Sequence, residues 1–373
     1  MIYLDNAATT KVFDCAASAA QRVMTDGFFN PNATYKYAVS AKAEIEKCRR
    51  TIASAIGASD DEVVFTSCAT EANNWIFARG RKNPKGNVVI SAGEHPSVYE
   101  PAMHLMGRGI DVRIAPITKD GQIDVDAFSA LVDENTSLVS VIHVSNETGV
   151  VNPIKKLSDI VKRKSPRALF HSDGVQALLK THDRLDGLGV DLYSASAHKL
   201  GAPKGIGLLY IRRGVTIAPY ILGGGQERNL RSGTQNTPYI AAFASAVEHF
   251  SALERQTNTK AVRDELCSFF VERGCKIIGG DNSGYILCVM FPGVKAEILQ
   301  NLSADSGVII GKGAACSGSK RNNRVLAAMG LSDKEIECCV RISLSPETTH
   351  DDAMSAANII VTAADGIRSN NVG

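Results

Sequence analysis

The chain has 373 residues, of which 44% are hydrophobic and 21% charged, and its formal net charge is only +2. That length exceeds one ordinary core, so a large domain with a smaller one attached is expected of a globular composition. The balanced charge, with no long basic run, gives no case for a nucleic-acid surface, and no apolar stretch reaches the length of a membrane span.

The opening MIYLDNAATT lacks the charged start and apolar middle of a signal peptide, which predicts a cytoplasmic protein. The 9 cysteines are scattered without C-x-x-C spacing, and their odd number argues against a disulfide framework. No metal site is expected, and most cysteines read as small core hydrophobes. From about residue 40 the texture alternates. AKAEIEKCRRTIASAIG has helical spacing, with Ile45, Cys48, Ile52 and Ile56 on one side. EVVFTS reads as a strand and TEANNWIFARG as the helix after it. NVVISAGEH, SLVSVIHVSN, RALFHSDG, VDLYSAS and GIGLLYIRR follow as short strands, apolar throughout. Such strands suit a largely parallel, doubly wound α/β sheet covered by helices on both faces. After GGGQERNLRSGTQNT, the stretch from Pro238 to Gly274 reads as one long helix linking two domains. The remainder mixes strands and helices as a smaller α+β domain. The expected division is 16–255 for the large domain, with 1–15 and 256–373 forming the small one.

Ligands of an open parallel sheet bind beyond the carboxyl ends of its strands. There VVFTS runs into CATE, VVISAGE into His95, SVIHVS into Asn146-Glu147, ALFHS into Asp173 and Gln176, and DLYSAS into His198-Lys199. Singly, Asp173 reads as a turn residue, Asn146 as a cap and His95 as a satisfied core histidine. Together they call for a common ligand, and their chemistry fits pyridoxal phosphate. A lysine amine, Lys199, forms a Schiff base with the cofactor aldehyde. A carboxylate, Asp173, keeps the ring nitrogen protonated. The phosphate takes backbone N–H groups at a helix start, Ala69 and Thr70, with Ser196 and His198. The small Ala195 and Ala197 let the backbone pass close by.

The segments YLDNAATT, FTSCATEANN, EHPSV, VSNETG, HSDGVQ, SASAHKLGAPKGIG, GGGQERNLRSGTQN, GAACSG and VRISLS, in this order, resemble those of the class V, fold-type I pyridoxal phosphate enzymes. Specifically, they are similar to cysteine desulfurases of the iron–sulfur assembly and nitrogen-fixation type. The resemblance implies a large domain with a mainly parallel, seven-stranded type of sheet between helices, plus the small domain, in a homodimer. It implies Lys199 as the Schiff-base lysine and His95 stacked on the ring, relaying protons. It places Asp173 at the pyridinium nitrogen, Gln176 at the ring hydroxyl, and Asn146 near that hydroxyl and the substrate. Thr70, Ser196 and His198 fall on the phosphate, and Thr234 of RSGTQN on the partner subunit's phosphate. Arg341 falls on the substrate carboxylate, a bidentate task that suits a guanidinium.

Cys316 stands in IIGKGAACSGSKRNN, where glycine and serine predict a mobile loop. The resemblance makes it the nucleophile that takes sulfur from L-cysteine as a persulfide and releases alanine. The nearby cation of Lys312 or Lys320 is expected to favour its thiolate. It implies delivery to a protein acceptor such as an iron–sulfur scaffold. Several positions depart from the family pattern. Cys68 replaces a glycine beside the phosphate turn, Tyr35 a histidine, Asn229 a glycine in a left-handed turn, and Ser345 another glycine. Glu147 reads equally as a general base or as a structural partner, and Arg228 and Arg231 as interface charges. The C-terminus lacks an apolar tail of the kind that docks a scaffold. The sequence leaves open a selenocysteine lyase, an aminotransferase, or a low-turnover sulfur-relay subunit.

Overall fold

A computed structural model describes residues 1–81, 83, 85–312 and 324–370 of the chain. In chain order its strands are β1 (Ile2–Leu4), β2 (Val63–Thr66), β3 (Asn87–Ser91), β4 (Val112–Ala115), β5 (Thr136–Ser140) and β6 (Leu169–Asp173). They continue as β7 (Leu192–Ser196), β8 (Gly207–Ile211), β9 (Lys276–Ile278), β10 (Ile286–Met290), β11 (Val308–Lys312) and β12 (Cys339–Ser343). Among the described residues they form a seven-stranded sheet in the order β2-β8-β7-β6-β5-β3-β4 and a five-stranded sheet in the order β1-β11-β12-β10-β9.

In the larger sheet β4, β3, β5, β6 and β7 run parallel, and β8 lies antiparallel to both β7 and β2. Every residue of β3, β5, β6 and β7 is buried, including polar ones such as His171, Ser172, Asp173 and Ser194, as befits a sheet covered on both faces. Helices α1 (Asp14–Thr25), α2 (Lys36–Ile56), α3 (Ala69–Arg79), α4 (Pro96–Gly107), α5 (Val125–Leu131), α6 (Ile154–Lys164) and α7 (Leu185–Leu188) precede α8 (Thr237–Glu254). The face of α2 that carries Ile45, Cys48, Ile52 and Ile56 is buried in the main core. The helix stops at Gly57, whose φ of 73° is left-handed and whose N–H donates back to the last turn.

Two expectations about element bounds need correction. The stretch from Pro238 is two helices, α8 and α9 (Thr259–Val271), separated by Arg255–Asn258. Asn258 restarts the helix because its side chain accepts from the Ala261 N–H at 3.1 Å, and a cap of this kind outweighs continuous apolar spacing. β5 ends at Ser140, well before Asn146; the intervening run holds one isolated bridge, Val144 to Val151. The smaller sheet is covered by α9, α10 (Ala296–Asp305) and α13 (His350–Asn370), after the short α11 (Arg324–Ala328) and α12 (Asp333–Ile336). Its core of Leu4, Phe270, Leu287, Phe291, Val340 and Ile360 is separate from the main one.

Candidate active site

A cavity of about 350 Å³ opens beyond the carboxyl ends of β2, β3, β5, β6 and β7. Its walls bring together Ala69, Thr70, His95, Asn146, Asp173, Gln176, Ser196, His198, Lys199 and Arg341. Those are the predicted residues from five strand ends of the large sheet, plus one from the small sheet.

Asp173 is the last residue of β6 and is buried. Its Oδ1 accepts from the Val175 N–H at 3.0 Å and its Oδ2 from Asn73 Nδ2 at 2.9 Å. Gly174 follows because a Cβ there would stand 1.8 Å from the Tyr193 ring. Asn73 Nδ2 also donates to Ser97 Oγ at 2.9 Å, and that hydroxyl lies 2.8 Å from His95 Nδ1. His95 is the N-cap of α4, ahead of Pro96, and its Nδ1 accepts from the Ser97 N–H at 3.1 Å. With Nδ1 accepting, the ring proton sits on Nε2. Burial lowers the pKa of this imidazole, so it is neutral at neutral pH.

Lys199 ends a single turn, Ala197–Lys199, that follows β7 directly. Its Nζ donates to the carbonyls of Ala7 at 2.7 Å and Ala8 at 2.6 Å. Burial, reinforced by the Arg341 charge, brings the amine down to about 8. The NAATT segment straps this turn in place. The Thr10 N–H and hydroxyl both donate to the His198 carbonyl, and the Gly201 N–H donates to Thr10 Oγ1 at 2.8 Å. Gly201 has φ +79°, and a Cβ there would strike the Phe13 ring at 2.1 Å. Burial, with Lys199 adding to it, lowers His198 to about 4, and its Nδ1 lies 3.2 Å from Thr9 Oγ1.

Arg341 reaches the cavity from the middle of β12. Its Nη2 donates to Asp5 Oδ1 and its Nη1 to the Asn146 carbonyl, each at 2.9 Å. Gly311 of β11 lies opposite in register, where a Cβ would come within 2.5 Å of Asp5 Oδ1 and 3.1 Å of Arg341 Nε. Gln176 is buried, and its Nε2 donates to the Ala7 carbonyl at 2.9 Å. Also in the lining, Ala69 and Thr70 open the eleven-residue α3 after the N-cap Cys68. Ser196 Oγ is buried there with no hydrogen-bond partner among the described residues.

Thr234 is exposed and does not line this cavity. Cys316 and Lys320 lie outside the described residues. Lys312 Nζ is 3.4 Å from Glu297 Oε2. Glu147 lies outside the cavity lining, and burial raises its carboxyl to about 8. Arg231 makes a two-toothed pair with Glu71 at 2.8 and 3.1 Å, and Arg228 donates to the Asp60 carbonyl, so both have partners within the chain. Cys68 lines the cavity at an extended φ of −174°, a conformation that does not demand the family's glycine. Asn229 has φ 66°, the left-handed turn expected of it. Of the described cysteines, Cys48, Cys275, Cys288 and Cys339 are buried, whereas Cys15 is exposed and the others are half-buried.

Sequence reasoning named neither Asp5, Asn73 nor Ser97. Each stands in a segment whose pattern was read, YLDNAATT, TEANN and EHPSV, but its partner is set by the fold. The residues present fit a phosphorylated aldehyde cofactor. The site offers a half-buried amine with a lowered pKa and a buried carboxylate held by two donors. The same lining holds a helix start and an orphaned hydroxyl.

The model of the family described as "Aminotransferase class-V" matches residues 2–355. A cysteine desulfurase of Bradyrhizobium diazoefficiens is 34% identical, over 97% of this chain and 94% of its own. A solved NifS-like protein superposes with a TM-score of 0.91 at 34% identity, covering 97% of this chain and 98% of that one. A third relative, solved as SspA in complex with cysteine, is 30% identical with a TM-score of 0.79, covering 94% of this chain and 100% of its own. The chain belongs to the class-V aminotransferases and, within them, to the cysteine desulfurases, a family of pyridoxal phosphate enzymes.

Proposed function

We propose that this cavity holds pyridoxal phosphate and that the chain converts L-cysteine to L-alanine, passing the sulfur to Cys316 as a persulfide. The observation that carries this reading is the meeting of Lys199, Asp173 and Arg341 around one cavity. The cofactor, when bound, supplies an aldehyde for amine condensation and a protonated ring that draws electrons from the substrate Cα. Asp173 would hold the proton on the ring nitrogen, and its two donors keep the carboxylate aimed. Lys199 anchors the cofactor and moves the proton at Cα, a task its lowered pKa suits. His95 covers the ring as a neutral imidazole with its proton on Nε2. Ala69, Thr70, Ser196 and His198 take the phosphate. Gln176 and Asn146 face the ring hydroxyl, and Arg341 binds the substrate carboxylate. Sulfur transfer forms the bond from Cys316 to the substrate sulfur and breaks the substrate Cβ–S bond. The electron pair of that bond stays on Cβ, which takes a proton to give alanine.

The same reading includes a homodimer in which Thr234 reaches the partner's phosphate, and a protein sulfur acceptor such as an iron–sulfur scaffold. It divides the chain into a large domain, 16–255, and a small one, 1–15 with 256–373; the separate cores of the two sheets support two domains, with Ala7, Phe13, Tyr285 and Ile286 packing into the core of the large one. A cytoplasmic location accords with the scattered, odd cysteines. No described helix is long and apolar enough to cross a membrane. The test is alanine and persulfide formation from L-cysteine by wild type and Cys316→Ala. Production by wild type, abolished in a variant that keeps its cofactor spectrum, is expected. Equal production by both would remove Cys316 from the reaction, and none by either would favour a relay or aminotransferase.

A further inference from the structure

Lys180 is a buried lysine that the reaction just described does not use. It follows Leu179, one of the few residues other than glycine with a left-handed backbone (φ 60°) among those described. For a leucine that conformation is costly and persists only where the surroundings enforce it. The turn 174–180 thereby delivers Lys180 inward rather than to solvent. Its Nζ lies 3.4 Å from Gln176 Oε1 and 5.7 Å over the Tyr285 ring, whose Oη donates to Glu254. Burial, with the nearby Lys199 charge adding to it, brings the Lys180 amine down to about 7.

A hydrogen-bonded chain results. Lys180 donates to Gln176 Oε1, Gln176 Nε2 donates to the Ala7 carbonyl, and Lys199 donates to that same carbonyl at 2.7 Å. The Ala7 carbonyl can only accept, so the Gln176 N–H groups face it, and Lys180 has an N–H to donate to the oxygen in either charge state. Both ends therefore impose one orientation on the Gln176 amide: oxygen toward Lys180, N–H groups toward Ala7 and the cavity. We propose that Lys180 is a positioning residue that fixes this amide so that Gln176 presents only hydrogen-bond donors to the cavity, selecting a cofactor oxygen there that acts as an acceptor. The proposal rests on the reading of the cavity as a pyridoxal phosphate site. It goes beyond that reading in making Gln176 a donor by virtue of a lysine that touches neither cofactor nor substrate.

The experiment measures cofactor affinity of the cofactor-free full-length protein by fluorescence quenching. The ligands are pyridoxal phosphate and an analogue lacking the ring hydroxyl. Lys180→Met is expected to weaken pyridoxal phosphate roughly tenfold, as loss of an orienting hydrogen bond to a charged group does, and to leave the analogue unchanged. Lys180→Gln keeps a donor and is expected to restore the affinity. The double variant with Gln176→Leu is expected to be no weaker than Gln176→Leu alone, because Lys180 acts only through that amide. Additive losses, or equal losses for both ligands, would show a merely structural lysine and overturn the proposal. Should Lys180→Met not fold, Gln176→Glu decides. It keeps the Lys180 contact but turns an acceptor to the cavity, so it should weaken pyridoxal phosphate more than the analogue, and unchanged binding overturns the proposal. A wild type that takes up neither ligand overturns the cofactor reading and this proposal with it, whereas uptake without the predicted coupling overturns this proposal alone.

Discussion

Lys199 combines two properties that rarely meet in one lysine: partial burial and two carbonyl partners that accept from its amine. Desolvation disfavours the ammonium, Arg341 adds repulsion, and the resulting value of about 8 makes the neutral amine abundant at mildly alkaline pH. Only the neutral amine condenses with an aldehyde. The rate at which cofactor-free protein captures pyridoxal phosphate should therefore rise with pH and level off just above 8. Stopped-flow absorbance over a pH series checks this. A rate that kept climbing to about pH 10, the range of an ordinary lysine, would show that the amine is unperturbed. The residues around Lys199 were largely legible, because most of them stand at or shortly after the end of a strand, although Asn146 follows β5 by six residues. Asp5 and Asn73 were not. Asp5 is bonded to Arg341 across 336 positions, and Asn73 to Asp173 across 100, pairings that no local spacing encodes.

At the scale of elements, the β11–β12 pair shows how a sheet register makes a binding group. Arg341 faces Gly311 across the ladder, and the missing side chain is the space in which Asp5 meets the guanidinium. Gly311→Ala would place a Cβ 2.5 Å from Asp5 Oδ1, so the carboxylate must move and the guanidinium loses its brace. The expected outcome is a KM for L-cysteine raised by about tenfold or more, the scale of one charge-assisted hydrogen bond, with cofactor content unchanged. A loss of kcat at unchanged KM would show that Arg341 does not bind the substrate in the ground state. A second element bears comparison. Glu227, Arg228 and Asn229 are all left-handed, and the buried Glu227 carboxylate holds them by pairing with the equally buried Arg49 at 2.7 Å and accepting from the Phe65 N–H. Asn229 was readable as a turn residue, but the ion pair that sustains three such conformations in succession was not.

At the scale of the molecule, the cavity belongs to neither sheet alone. The large sheet supplies its polar strand ends, the N-terminal strap supplies Ala7 and Ala8, and the small sheet supplies Arg341. Thr234 is exposed and away from the lining, and the proposed function assigns it to the partner's phosphate in a homodimer. Sedimentation velocity should give twice the monomer mass. Thr234→Ala should keep that mass while loosening pyridoxal phosphate severalfold, as loss of one hydroxyl hydrogen bond to a phosphate does. A monomer that holds the cofactor as tightly as wild type would remove Thr234 from the site.

The sequence by itself determined the alternation of strands and helices, the polar endings of the strands, and a lysine and an aspartate suited to one cofactor, while the arginine came only with the family resemblance. These are local properties, since periodicity, turn chemistry and side-chain type act over a few residues. The tertiary structure alone decided which groups hold those residues: Asn73 between Asp173 and His95, Asp5 on Arg341, the strap on Lys199, and Lys180 behind Gln176. It also decided that one apparent helix is two. The reason is physical. A hydrogen bond or ion pair forms between whatever groups the packing brings within about 3 Å, and that packing is a property of the whole chain.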